Sequence, residues 1–362
     1  MGAELSIPRP CTLLVLTAVT LGCSPSDPDP PVDETEPCAD PIVARFTAQM
    51  DLGPWGWAAG VGSYGLVRGR CMNDPEVAGP IQAWLDDALA EPLTPTHVNH
   101  GMLAWALLDA EGIDFDPAIA LAVAEYLAYE HPTIPDNGAL VHAGDQVWVD
   151  TMFMAAPLLA RVGVREGEPD LIEAAVTQIL AHAELLQDPD TGLFFHAWDY
   201  SDAQEGLIDP NLARARWGRG NAWAALGAAE VLRAIPPDTE RWAELEAVLA
   251  TQLEAVLALQ DSAGGWHTLL DDPGTYLESS ATAGLALGLA MAIDLGLVGA
   301  EHREAVAAAR GYLDAQRTEA GGLLGTSSST AASRELDKYG EIASDEPRLW
   351  GQGLYLALLG WE

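Results

Sequence analysis

Basic side chains are scarce in this chain of 362 residues, which carries 17 lysines and arginines against 54 aspartates and glutamates. The resulting formal net charge of −37 repels phosphate backbones, so the composition argues against a nucleic-acid partner. It also repels anionic small molecules at long range. If the substrate is anionic, its site must therefore supply positive charge locally.

Long uncharged apolar runs are also missing after the first two dozen residues, so no transmembrane span is expected there. Before that point, Arg9 and the run "CTLLVLTAVTLGC" predict a secretory signal over residues 1–22. The signal resembles that of bacterial lipoproteins, in which Cys23 becomes lipidated; a plain signal peptide cut nearby is the alternative. We expect an exported lipoprotein, anchored through Cys23 to a bacterial membrane in the periplasm or at the cell surface.

Cysteine is equally rare, with four in the whole chain. Cys11 leaves with the signal and Cys23 would carry the lipid. Cys38 and Cys71 remain outside the cytosol, where a disulfide between them is the expectation and two free thiols the alternative. Residues 23–40 are rich in proline and acidic residues, which predicts a disordered linker.

The remainder, residues 41–362, predicts one all-α domain, because runs rich in alanine and leucine alternate with glycine-marked turns. Four turns resemble one another and start roughly 50 to 70 residues apart, about the length of a helical hairpin with its loops. They are "PDNGALVHAGD", "PDTGLFFHAWD", "DSAGGWHTLLD" and "EAGGLLGTSSS". Repeated hairpins commonly close into a ring of inner and outer helices. The histidines of three turns, His142, His196 and His267, would then surround the mouth of that ring.

A carboxylate interrupts the apolar stretch "VWVDTMFMAAPLLARVG", where Asp150 lies beside Trp148 and close to Met154. Asp150 could cap a helix, which would lower its pKa. It could instead be a proton donor and acceptor, because burial between apolar walls raises a carboxyl pKa.

A second stretch, "RWGRGNAWAALGAAEVL", combines glycines with Trp217, Arg219 and Trp223. Tryptophan faces stack on sugar rings, and a guanidinium pairs with a carboxylate. The alternative is a helix start with Trp packed in the core and Arg in a salt bridge.

These motifs together, in the order "VWVDTMFMAAPLLAR", "TGLFFHAWD", "WGRGNAW", resemble the unsaturated glucuronyl and rhamnogalacturonyl hydrolases of glycoside hydrolase families 88 and 105. The resemblance covers most of residues 90–361. It implies an (α/α)6 barrel with short β-hairpin-like loops at one face and no metal or organic cofactor. It further implies that Asp150 is catalytic. The residues implied to line the sugar pocket are His142, Trp148, Met154, His196, Trp217, Arg219 and Trp223.

The implied substrates are pectin-type oligosaccharides with a C4=C5 double bond in the terminal uronic acid. The implied reaction is hydration: an acid protonates C4, water adds at C5, and the unstable product opens and releases the next sugar. A conventional two-carboxylate inverting glycosidase and a non-catalytic sugar-binding lipoprotein are the alternatives.

One departure concerns a second aspartate that the relatives carry before a glycine in an earlier inner helix. Here "THVNHG" occupies that region, so His97, Asn99 and His100 precede Gly101. We expect Asn99 and His100 to contact the substrate. Either an amide or imidazole positions the water, or Asp145 or another acid substitutes, or the activity is altered. Residues 53–71 are interpreted as a flexible lip over the barrel mouth or as a loop packed on the barrel end and tied by Cys71, and residues 326–333 as a mobile loop.

Overall fold

The computed structural model describes residues 38, 40–48, 52–201 and 211–361. The predicted signal peptide, Cys23 and the linker up to residue 37 lie outside these residues. The helices are α1 (Pro41–Ala48), α2 (Trp57–Arg68), α3 (Pro75–Ala88), α4 (His100–Leu108), α5 (Pro117–Tyr129), α6 (Thr151–Met154), α7 (Ala156–Glu166), α8 (Pro169–Leu186), α9 (Gly218–Ala234), α10 (Trp242–Leu257), α11 (Ser279–Asp294), α12 (Arg303–Ala315), α13 (Asp337–Gly340) and α14 (Leu349–Leu359). The strands are β1 (Gln146–Trp148) and β2 (Ala197–Asp199).

Within the described ranges, six helical units form a closed inner ring. They are α2, α4, the pair α6 and α7, α9, α11 and α14; each packs on the next, and α14 packs on α2. The inner units are buried on most sides, whereas α1, α3, α5, α8, α10 and α12 bury one face and form an outer layer. The predicted all-α (α/α)6 barrel is confirmed.

The glycines of α2 explain why the loop predicted at residues 53–71 is wrong for most of that stretch. Gly60 lies against the backbone of Leu103 in α4, and Gly65 lies against the backbone of Gly353 in α14. A side chain at either position would collide with a neighbouring helix. Glycine therefore serves close helix packing here, which outweighs its low helix propensity.

The four predicted turns share one conformation. Their glycines, Gly138, Gly192, Gly264 and Gly321, have φ of 80°, 80°, 94° and 78°, in the left-handed region that favours glycine. Each turn leads from the end of an outer helix towards the start of the next inner one. The β-hairpin-like loops expected there are confirmed, since antiparallel bridges join Thr133 to Leu140, Gln187 to Phe194 and Arg317 to Leu323 within single turns. Strands β1 and β2 instead join two successive turns, with Trp148 opposite Ala197. We call the N-terminal ends of the inner helices the mouth and their C-terminal ends the base.

Cys38 and Cys71 form a disulfide, with Cα atoms 5.0 Å apart, which confirms the expected pairing. Cys71 follows α2 closely, and the sulfur of Cys38 lies 3.4 Å from the carbonyl oxygen of Gly69. The bridge therefore lies at the base. No helix among the described residues combines the length and the apolar character that a membrane span needs.

Candidate active site

Asp150 lies at the mouth, directly before α6. The backbone N–H of Val149 donates to the carbonyl oxygen of His196 at 3.0 Å, which fixes Asp150 relative to the neighbouring loop. Asp150 makes no side-chain capping hydrogen bond to α6, so the capping alternative is not realised. Pro157 lacks an N–H, and α6 breaks from α7 at Ala155, which leaves Asp150 on a separate short turn.

Aromatic and imidazole rings form a continuous arc around this carboxylate, which we call the aromatic belt. Successive ring centroids lie 5.3 Å apart for His97 and His142, 4.7 Å for His142 and Trp148, 5.2 Å for Trp148 and His196, and 4.4 Å for His196 and Trp217. The guanidinium of Arg219 lies over Trp217 and Trp350, and Trp350 contacts Trp57 with centroids 4.7 Å apart. Trp57 and Trp148 are partly exposed and offer flat apolar faces of the kind on which sugar rings stack, whereas Trp217 and His196 are buried.

The Asp150 carboxyl has one buried and one exposed side. Its side chain is 18% exposed, while Oδ2 is buried and makes no hydrogen bond. The polar atom that faces Oδ2 is Nε2 of His196, 3.6 Å away. The exposed part of the carboxyl is therefore on the Oδ1 side, which is free to meet a ligand.

Burial raises the pKa of the Asp150 carboxyl, but its neighbours oppose this effect. His196, followed by His142 and Arg219, stabilises the charged form, and the resulting pKa lies below the ordinary value. Burial lowers the pKa of His142 to about 4, so that ring is neutral at pH 7. The free protein therefore holds Asp150 as a carboxylate near neutrality. The expectation that burial would raise the pKa of this carboxyl overall is wrong, because the neighbouring side chains outweigh burial.

Arg219 does not present its guanidinium to the mouth as expected. The side chain is 1% exposed, and its terminal nitrogens donate to the carbonyl oxygens of Ser327 and Ser328 and to Oγ1 of Thr330, at 3.0, 2.9 and 3.0 Å. Glu278 lies 3.5 Å away. Arg219 therefore fixes residues 327–330, which corrects both the substrate contact assigned to Arg219 and the mobile loop predicted there.

Met154 and Trp223 also differ from expectation. Both are 1% exposed, and Trp223 stacks on Phe153 with centroids 5.3 Å apart and planes tilted by 10°. They belong to the packed floor beneath Asp150 and do not line an open pocket. Their apolar character serves the core of the inner ring.

The segment that replaces the second aspartate lies at the mouth. Asn99 and His100 are partly exposed at the start of α4, and the His100 carbonyl accepts a hydrogen bond from Nε1 of Trp55 at 3.2 Å. His97 reaches the belt through His142. His267 is the exception among the three turn histidines, because its Nδ1 bonds to the Thr275 carbonyl at 2.6 Å and its Nε2 faces Asp261.

Three residues at the site were not predicted from the sequence: Trp57, Tyr339 and Trp350. Each lies far along the chain from the motifs that it joins, and no local pattern connects them. The hydroxyl of Tyr339 lies 2.6 Å from Nδ1 of His196 across 143 residues of sequence. Among the described residues, no cluster of three or more His, Cys, Asp or Glu side chains is arranged to hold a metal ion.

Comparisons with known proteins agree with this geometry. The sequence profile described as Glycosyl Hydrolase Family 88 matches residues 38–360. A curated protein named "Unsaturated rhamnogalacturonyl hydrolase YesR", from Bacillus subtilis, is 34% identical over 332 residues, which are 88% of this chain and 92% of that protein.

Solved structures extend the likeness to three dimensions. A crystal structure described as a possible member of the GH105 family, from Salmonella enterica, superposes with a TM-score of 0.80 and 30% identity, covering 93% of this chain and 97% of that one. The unsaturated glucuronyl hydrolase of Bacillus sp. GL1 superposes with a TM-score of 0.67 over 90% of this chain and 95% of its own. At 21% identity, the latter supports the fold alone.

Proposed function

This chain belongs to Glycosyl Hydrolase Family 88, and on that premise we propose that it hydrolyses oligosaccharides ending in an unsaturated uronic acid. The relative that aligns with most of the chain is named an unsaturated rhamnogalacturonyl hydrolase, which favours a rhamnogalacturonan-type substrate. The observation that carries the proposal is the partly exposed carboxyl of Asp150 inside the aromatic belt. A single acid among stacking faces suits protonation of an electron-rich alkene.

The proton transfers of the proposed reaction involve only Asp150 and water. The acid form of Asp150 transfers its proton from Oδ1 to C4, and the C4=C5 electron pair forms the new C–H bond. The cation that develops at C5 shares charge with the ring oxygen until water adds there and returns a proton to the carboxylate. The resulting hemiketal opens to a ketone at C5, and the hemiacetal at C1 expels the next sugar as an alcohol.

The mouth supplies the local positive potential that the acidic chain requires. The N-terminal ends of the inner helices meet there, and each carries a partial positive charge on its free N–H groups. The carboxylate of an unsaturated uronic acid is stabilised by such an arrangement. The belt adds stacking surface, so charge and ring recognition coincide at Asp150.

Asn99 takes the place of a second acid in this proposal. An amide donates and accepts hydrogen bonds, so Asn99 can orient the water that attacks C5, although it cannot take up its proton. Proton uptake is then left to Asp150. One acid that works in both directions suffices, because the proton that it gives to C4 is replaced by one from water.

The test is the loss of the ultraviolet absorbance of the conjugated alkene when the protein meets lyase-generated unsaturated rhamnogalacturonyl disaccharides. Asp150→Asn should lower kcat by about 10²–10⁴-fold, since it removes general acid catalysis. Asn99→Ala should lower kcat by about tenfold and leave measurable turnover, because it affects only water positioning. The function is rejected if the wild type bleaches no member of a panel that also includes unsaturated glucuronyl disaccharides.

We also propose that the protein is exported and held on a membrane by lipid at Cys23. The support is the sequence of the signal segment together with the disulfide between Cys38 and Cys71, a bond that persists in oxidising compartments. Expressed with its signal in a bacterium, the wild type should fractionate with membranes and Cys23→Ala should be released. Equal release of both proteins would contradict the anchor and leave the enzymatic proposal untouched.

A further inference from the structure

Two buried polar atoms, one on the Asp150 carboxyl and one on the His196 ring, face each other, and neither has a hydrogen-bond partner among the described residues. Oδ2 of Asp150 and Nε2 of His196 are both buried without a hydrogen bond, and they lie 3.6 Å apart. A closure of about half an ångström would bring them within hydrogen-bond range; such contacts are often long in free enzymes and tighten with substrate. Nε2 can donate a hydrogen bond to Oδ2 only if it is the ring nitrogen of His196 that carries the proton.

The hydrogen bond made by Nδ1, on the other side of the His196 ring, determines which nitrogen is protonated. Nδ1 of His196 lies 2.6 Å from the hydroxyl of Tyr339, and that hydroxyl also accepts the backbone N–H of Ser333 at 3.2 Å. Burial raises the pKa of the Tyr339 phenol, so the hydroxyl keeps its proton through the neutral range. With an oxygen lone pair occupied by Ser333, the hydroxyl proton is directed at Nδ1, which then accepts.

We propose that Tyr339 is a positioning residue, whose hydroxyl donates to Nδ1 of His196 and so leaves a ring proton on Nε2, where it faces Oδ2 of Asp150. The proposal rests on the function assigned to Asp150 above. His196 is suited to relay this effect, because its ring is fully buried between Trp217 and Trp148. Its backbone N–H is also held by the carbonyl oxygens of Ala213 and Ala215.

The arrangement assigns different tasks to the two oxygens of Asp150. The Nε2–H donor engages Oδ2 and thereby stops rotation of the carboxyl, so the transferable proton resides on Oδ1, on the exposed side. When that proton moves to C4, the N–H bond to Oδ2 stabilises the carboxylate left behind. When water adds, the carboxylate recovers a proton at Oδ1. His196 itself neither gains nor loses a proton over the cycle.

A first test needs no substrate, and a variant serves only to assign the spectrum of the wild type. Protein labelled with ¹⁵N-histidine is studied by NMR at neutral pH, and the His196 resonances are assigned by their absence from His196→Gln. We expect Nε2 to show the shift of a protonated nitrogen and Nδ1 that of an acceptor. A protonated Nδ1 with bare Nε2 would overturn the proposal. Because the spectrum is recorded without substrate, its result does not depend on whether the proposed function is correct.

The second test is Tyr339→Phe, which removes the hydroxyl and keeps the ring. We expect kcat to fall about 10- to 100-fold with KM changed less than about threefold, because proton transfer is affected and substrate binding is not. The alkaline limb of the pH profile should move to higher pH, since Asp150 loses a donor to its charged form while His142 and Arg219 still face it. The NMR spectrum should show both tautomers.

Tyr355→Phe is the matched control, since Tyr355 is equally buried and its hydroxyl binds Asp314, away from Asp150. It should keep the wild-type kcat and pH profile. If Tyr339→Phe folds and its kcat stays within twofold of wild type with an unmoved alkaline limb, Tyr339 has no positioning role. Should Tyr339→Phe fail to fold, the tautomer of the wild type still decides the matter.

Discussion

The proposed reaction starts from protonated Asp150, yet in the free protein this residue is held as a carboxylate. The imidazole of His196 is the main cause, and Arg219 adds to it. An anionic substrate changes this balance, because a uronate carboxylate entering the mouth disfavours a second negative charge beside it. Substrate binding and protonation of Asp150 therefore favour each other.

The expected consequence is a separation of two pH profiles. The alkaline limb of kcat/KM reports Asp150 in the free protein, and that of kcat reports it in the complex. Because the substrate raises the pKa, the kcat limb should lie at higher pH than the kcat/KM limb. His142, with a pKa of about 4, is neutral at pH 7 and should not contribute a limb there. Because the pKa of Asp150 in the free protein lies below its ordinary value, the rates are measured from about pH 3 upward to pH 9, and coincident limbs would contradict the coupling.

The sequence predicts the position of individual residues where a turn is repeated. The repeated turns place His142 and His196 at the mouth, and the structure brings both to Asp150. Arg219 was misjudged, since its partners at Ser327 and Ser328 lie more than 100 residues away. A guanidinium that holds a distant loop and one that awaits a ligand have the same sequence context.

At the scale of the helices, the base is held together by a buried ionic cluster. Glu230 of α9 is fully buried; it accepts hydrogen bonds from Arg68 and Tyr64 of α2 and pairs with Arg161 of α7 at 3.4 Å. These residues join three inner units near their C-terminal ends, where cations are favoured by the helix dipole. Glu230 has no part in the proposed chemistry, so a substitution there measures stability separately from catalysis.

Glu230→Gln should lower the free energy of unfolding by about 3 kcal/mol at pH 7, because it leaves Arg68 without its buried counterion. Burial raises the pKa of Glu230, but Arg68 and Arg161 outweigh it and hold the pKa below the ordinary value of 4.5. The difference from wild type should thus persist above about pH 5 and shrink as the pH falls below 4.5.

Urea unfolding followed by circular dichroism at several pH values measures this difference. Glu244→Gln is the control, since its pair with Arg241 is exposed on α10 and should leave the unfolding midpoint unchanged. A Glu230→Gln protein as stable as wild type would show that the cluster contributes nothing net. An equal loss at acidic pH would show that charge is not the cause.

Helix order and the ring were predictable from the sequence, because alanine- and leucine-rich runs separated by repeated glycine turns admit few arrangements. Inner helix α2 was not, because glycines that allow close helix packing resemble the glycines of a loop. The distinction depends on what lies opposite each glycine: Leu103 for Gly60 and Gly353 for Gly65. Such partners are known only once the ring has closed.

At the scale of the whole molecule, the charge of −37 opposes the approach of an anionic sugar, while the mouth attracts it at short range. Salt screens the long-range repulsion more than contacts inside the site, because the Debye length is about 10 Å at 0.1 M. We expect kcat/KM to rise severalfold between about 10 and 150 mM NaCl, with kcat nearly constant. A methyl-esterified substrate, which carries no carboxylate, should show little salt dependence. A fall in kcat/KM with salt would mean that the field at the mouth dominates at long range.

The position of the disulfide determines how the molecule can be fastened. Cys38 is bonded at the base, so the segment that precedes it joins the barrel on the side remote from Asp150. If the protein is held by lipid at Cys23, as proposed, its tether therefore enters the barrel at the base and not beside the opening through which a saccharide would reach Asp150.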